Sequence, residues 1–219
     1  MQKRNYSIEL ERLIARIKRE GTTPSLLLHA CCAPCSSYVL EYLSEYFKIT
    51  VFYYNPNIAP TEEYEHRVAE IERFVKEFPA KNPITLIKGK YNPERYYAAV
   101  RGLEQELEGG ARCKVCFRLR LAEAADLAKE LDADYFTTTL TISPMKNAPL
   151  LNEIGEEEAS RVGIKHLPSD FKKKGGFKRS TELSAQYNLY RQDFCGCVYS
   201  QKEAEDRRKR LAEKQLLES

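Results

Sequence analysis

The feature that most constrains this chain is the alternation of short apolar runs with longer amphipathic segments through its first 168 residues. Leu26, Leu27 and Leu28 form a continuous apolar run inside a strand expected over 25–30. A run with no polar alternation marks a buried strand. Further strands are expected at 49–54 (ITVFYY), 84–87, 135–140 and 164–167. Around and between them, helices are expected at 8–20, 61–78, 96–108, 113–131 and 150–162, with one more capped by Ser36 and running to Tyr46. Local cues support the boundaries. Thr61 followed by Glu62, Glu63 and Glu65 suits a helix N-terminus, and Gly109-Gly110 separates two helices. Parallel strands need helical crossovers, which run right-handed, so this order predicts an α/β fold. The expected form is a parallel sheet with helices on both faces, of the HUP or pyrophosphatase-loop-like kind.

A chain of 219 residues suits one domain, divided here into an α/β body over 1–168 and a C-terminal helical, cysteine-bearing extension over 169–219. The extension holds the basic loop DFKKKGGFKRS, a helix expected over 182–190, the Cys195-Gly196-Cys197 turn and a charged terminal helix. No apolar run approaches the roughly 18 residues that a membrane span needs. The N-terminal MQKRNYSIELERL is charged and amphipathic rather than a signal peptide, so the cytoplasm is the expected compartment. A net charge of +3 is too mild to identify a partner, because whole-chain balance hides local patches.

Seven cysteines are an odd number, and in a reducing compartment closely spaced thiols serve metals or redox chemistry more often than disulfides. They form three groups. Cys31, Cys32 and Cys35 follow the first strand, at the carboxyl edge where open α/β sheets bind ligands, and a helix start there favours thiolate. Cys113 and Cys116 form a C-x-x-C at a helix N-terminus, so both sulfurs can face one metal from adjacent turns. Cys195 and Cys197 flank a glycine that permits the tight bend needed to bring neighbouring sulfurs to one centre. The four thiolates of these two pairs suit structural zinc or a cubane iron-sulfur cluster. Three cysteines left over favour a second centre, or an open iron beside reactive thiols, and hence catalysis. Asp170, after the fifth strand, is the carboxylate best placed to join such a centre; its alternative is a loop cap.

Six ordered motifs give a more specific reading: HACCAPCS, YYNPNIAP, RCKVCFRLRL, FTTTLTISPMKN, SDFKKKGGFKRS and LYRQDFCGCVYS. Over nearly its whole length the chain resembles the epoxyqueuosine reductases of the QueH type. The resemblance implies an oxidoreductase of tRNA processing that converts epoxyqueuosine to queuosine at the wobble position without cobalamin. It also implies a [4Fe-4S] cluster and a neighbouring iron ion. The division adopted places Cys113, Cys116, Cys195 and Cys197 on the cluster, with Cys31, Cys32, Cys35 and Asp170 around the second iron or substrate. Cys31, Cys32 and Asp170 are then the groups expected to act in catalysis, and an unidentified donor supplies electrons. Asp170, Lys172 and Tyr54 are candidate proton donors, each with a structural alternative.

RNA contact is expected at Lys172, Lys173, Lys174, Lys178 and Arg179, which flank Gly175-Gly176, and along Arg207, Arg208, Lys209 and Arg210 of the terminal helix. Tyr53, Tyr54 and Phe177 are candidates to stack a splayed base, with core packing as the alternative. Two rivals remain at this stage. An ATP-dependent tRNA-thiolating enzyme suits the β-α order, but it needs a glycine-rich phosphate loop where this chain has CCAPCS. A zinc-stapled RNA-binding module would be colourless, whereas an iron-sulfur protein is brown.

Overall fold

The computed structural model describes residues 4–217. Five strands, β1 (Ser25–His29), β2 (Lys48–Tyr53), β3 (Ile84–Lys88), β4 (Tyr135–Thr138) and β5 (Lys165–His166), form one sheet in the order β3-β2-β1-β4-β5. All of its ladders are parallel, with Leu27 opposite Thr50 on one side and Phe136 on the other. The central strand explains the leucine run. Leu26 and Leu28 enter the core against α1 (Tyr6–Glu20), α2 (Ala33–Leu43) and α3 (Thr61–Glu77), while Leu27 enters the opposite core against α5 (Ala111–Glu130) and α6 (Ala148–Val162). Each face is covered, so the three central positions of β1, Leu26, Leu27 and Leu28, are all apolar.

The remaining helices are α4 (Pro93–Ala99), α7 (Gly176–Gln186) and α8 (Val198–Leu217). Four boundaries differ from the sequence reading. Helix α2 begins at Ala33 with Cys32 as N-cap, because Pro34 in the first turn presets helical φ, and the Ser36 hydroxyl instead donates to the Cys32 carbonyl at 2.8 Å. Helix α4 replaces the segment expected over 96–108. Asn92 caps it by accepting from the Arg95 amide, and Gly102 at φ +83° and Gly109 at φ +93° turn the following chain. Helix α7 replaces the one expected over 182–190, starting directly after Gly175 at φ +80°. Strand β4 is shorter than expected, since residues Thr139–Ile142 wind into a 3-10 turn whose Thr138 hydroxyl accepts from the Leu140 amide. No helix among the described residues is long and apolar enough to cross a membrane.

His166 on β5 supplies a test of the core. Both its ring nitrogens are buried without partners although the residue as a whole is half-buried, and a Cβ on Gly155 would stand 2.3 Å from Nε2. Burial lowers the imidazole from 6.5 to about 3, with the Arg4 charge adding to the effect. Below pH 6.5 the unfolded chain therefore takes up a proton that the fold refuses, and stability falls as pH drops. The expected contribution is a loss of about 2 kcal/mol between pH 7 and pH 5. Because burial likewise lowers His29 to about 3, urea unfolding at the two pH values should show a loss smaller by this one increment in His166→Leu than in the wild type. Equal pH dependence in both proteins would refute the assignment.

Candidate active site

From β1 the chain steps outward to β2 and β3, then returns to the other side of β1 for β4 and β5, so the β1/β4 boundary is the topological switch point of the sheet. The ends of these two strands are joined. The Cys31 amide donates to Thr139 Oγ1 at 3.2 Å, and that hydroxyl donates to Cys31 Sγ at 3.3 Å. Cys31 and Cys32 sulfurs lie 3.9 Å apart, and the sulfurs of Cys31, Cys32 and Cys35 all lie within 4.8 Å of one another. Among the described residues this is the one group of His, Cys, Asp or Glu ligands tight enough for a single metal ion. The three thiols share charge unequally. Hydrogen bonds from Cys32 and Cys35, then the Arg120 charge and the Thr139 hydroxyl, hold Cys31 well below the usual thiol range. The same bonding to Cys31 pushes Cys32 up to about 12 and Cys35 well above its ordinary value.

The other four thiols come from α5 and the C-terminal turn. Cys113 accepts from the Gly109 amide at 3.2 Å, while Cys116 and Cys197 are buried with Tyr96 and Val100. Burial raises Cys113 and Cys116, the latter to about 12, and Cys195 adds repulsion to each. Cys195 Sγ is 3.3 Å from the Lys146 ammonium, which is itself buried and paired with Glu108 at 3.4 Å. Gly196 cannot be exchanged for a larger residue: its φ is +116°, and a Cβ would lie 2.9 Å from both Arg67 Nη1 and Ile58. Arg67 fixes this turn by donating to the Cys195 carbonyl at 3.2 Å while pairing with Glu63 at 2.6 Å. All seven cysteines are free thiols, and Arg120, Lys146 and Arg67 supply cations beside them. This donor set fits a metal centre of thiolate ligands.

A cavity of about 500 Å³ opens over the switch point, with Cys31, Cys32, Cys35, Cys195, Lys146 and Arg67 on its wall. Phe177 at its rim is 39% exposed, with the Arg191 guanidinium 5.8 Å above the ring. Tyr53 and Tyr54 are buried instead, and the Tyr54 hydroxyl accepts from Arg95 at 3.0 Å. Asp170 is not brought to this cavity. It pairs with Lys172 at 2.7 Å and lines a separate cleft of about 100 Å³ with Glu11, Tyr38 and Tyr42. In the basic segment, Lys174 pairs with Glu11 and Arg179 with Glu41 and Glu182; among the described residues, Lys173 and Lys178 have no acidic partner. On the terminal helix, Arg207 and Arg208 both pair with Asp193.

A family model described as "Epoxyqueuosine reductase QueH" matches residues 26–203. This chain belongs to that family. Curated relatives carrying the same description are similar over most of their length. One from Streptococcus pyogenes serotype M1 is 46% identical over 203 residues, covering 92% of this chain and 80% of the relative. One from Staphylococcus epidermidis is 44% identical, with 91% and 85% covered. One from Thermotoga maritima is 34% identical over 197 residues, with 85% and 97% covered. The QueH match and these relatives give no support to the thiolating enzyme or the zinc module. Several residues around the QueH-family cysteines were not singled out from sequence: Asn55, Arg67, Arg120, Thr139 and Lys146. Asn55, Arg120, Thr139 and Lys146 lie inside the motifs YYNPNIAP, RCKVCFRLRL and FTTTLTISPMKN, and that position was their only signal.

Proposed function

We propose that this chain is a cytoplasmic epoxyqueuosine reductase that acts on tRNA, using thiolate-held iron rather than cobalamin. The observation that carries this reading is the single cavity whose wall joins the close-set thiols of Cys31, Cys32 and Cys35 to Cys195 and a buried lysine. Reducing an epoxide to an alkene takes two electrons and two protons and releases the oxygen as water. A [4Fe-4S] cluster and a neighbouring iron would supply electrons and a Lewis acid at this wall. In the preferred division, Cys113, Cys116, Cys195 and Cys197 hold the cluster, and Cys31, Cys32 and Cys35 hold the second iron or meet substrate. Asp170, in its own cleft beside α1, is left out of that second set. Lys146 holds its proton at Nζ tightly, through Cys195 and Glu108, and stands as a fixed cation beside Cys195. Phe177 with Arg191 offers a stacking platform at the entrance.

The test is direct. Protein purified anaerobically should contain iron and acid-labile sulfide and, with a chemical reductant, convert epoxyqueuosine in tRNA to queuosine. Full activity with stoichiometric zinc and no iron would overturn the cofactor reading. Absence of product from an iron-loaded protein would overturn the activity.

A further inference from the structure

Arg120 is among the most deeply buried charges in the molecule, at 1% exposure. It sits one helical turn beyond Cys116 on α5, so both side chains share a face of that helix. Its other contacts lie on different elements. Nη2 donates to Asn55 Oδ1, and Nε lies 3.3 Å from His29 Nε2. Asn55 in turn donates to the Ala30 carbonyl at 2.9 Å, and His29 is the last residue of β1. One guanidinium thus joins the helix bearing the C-x-x-C to the strand end that leads into Cys31. Nη1 remains buried with no aligned partner. A buried N–H left unpaired destabilises the fold, so its retention calls for an acceptor. The charges around it are the thiols of Cys116, Cys195 and Cys31, which belong to all three cysteine groups.

We propose that Arg120 is a positioning residue that ties the two halves of the thiol site together and keeps Nη1 for a sulfur acceptor of the bound cluster. The inference rests on the iron-sulfur reading given above. A cation and N–H donor beside a cluster favours its reduced, more negative state, and hydrogen bonds to cluster sulfurs raise reduction potential. Lysine at this position keeps the charge but cannot serve Asn55, His29 and a sulfur with one planar fork.

The experiment measures reduction potential, iron content and tRNA affinity for anaerobically prepared wild type, Arg120→Gln and Arg120→Lys. Arg120→Gln should make one-electron reduction at least tenfold less favourable, a shift of about 59 mV to more negative potential. Arg120→Lys should shift in the same direction by less, and tRNA affinity should be unchanged in both. A wild-type potential in any folded variant overturns the proposal. Failure of both variants to fold assigns Arg120 to packing and overturns it equally. If the wild type itself holds no iron or sulfide, the underlying cofactor reading has failed instead, and the two failures are told apart by that control.

Discussion

Cys31→Ser should lower epoxyqueuosine reduction by more than about a hundredfold while the protein stays folded, brown and able to bind tRNA. Loss of an outer partner of a metal ligand alone costs about 10–100-fold, so loss of a thiol at the reacting centre should exceed that range. Cys31 is the thiol held lowest of its trio, through bonds from Cys32, Cys35 and Thr139, and it faces the open cavity. Serine keeps the shape but not the thiolate, so iron should fall by one ion at most. Cys116→Ser should fail differently. Its sulfur is buried among Tyr96, Val100 and Cys197, where a hydroxyl is a poorer ligand than a thiolate. Colour and solubility should then fall together. Iron, sulfide, tRNA affinity and queuosine formation measured on both variants decide the matter. If Cys31→Ser loses the whole cluster and Cys116→Ser keeps it, the division of ligands is reversed while the oxidoreductase activity stands.

What could be read in advance followed from local chemistry. The leucine run of β1 announced a strand covered on both faces, and the close spacing of Cys31, Cys32 and Cys35 announced a group able to hold a metal ion, because both signals lie within a few residues of chain. Helix α4 was misplaced because Asn92 and Pro93 start it early and it stops at Val100, and α7 because Gly175 at positive φ sets its start, where a composition rich in lysine and glycine reads as a loop. Arg120 and Lys146 carried no spacing signature at all. A single cation on a helix or after a strand acquires meaning only when the fold brings a thiol to it from far along the chain. Asp170 shows the converse. It follows a strand at the sheet's carboxyl edge, but β5 is the edge strand, two places from β1, and its end opens toward α1 rather than toward the switch point.

RNA recognition should separate into an electrostatic and a stacking part carried by different residues of one short segment. Lys173 and Lys178 are exposed and have no acidic partner among the described residues, whereas Lys172, Lys174 and Arg179 are already paired with Asp170, Glu11 and Glu41. A lysine without an acidic partner releases a condensed counterion from the RNA when it meets a phosphate; one already neutralised contributes less. Replacing Lys173 and Lys178 together with glutamine should therefore reduce the slope of log affinity against log salt by about 1.4 to 1.8, and replacing Lys172 and Arg179 should reduce it by less. Phe177→Ala removes an exposed ring beneath Arg191 but no charge. Base stacking on an aromatic ring is worth about 1–3 kcal/mol, so KM for the modified tRNA should rise about tenfold with the salt slope unchanged. Phe177→Tyr should restore the wild-type KM, since the ring face is kept. An altered slope in Phe177→Ala, or an unaltered one in the double lysine variant, would show that the segment does not meet RNA in this way.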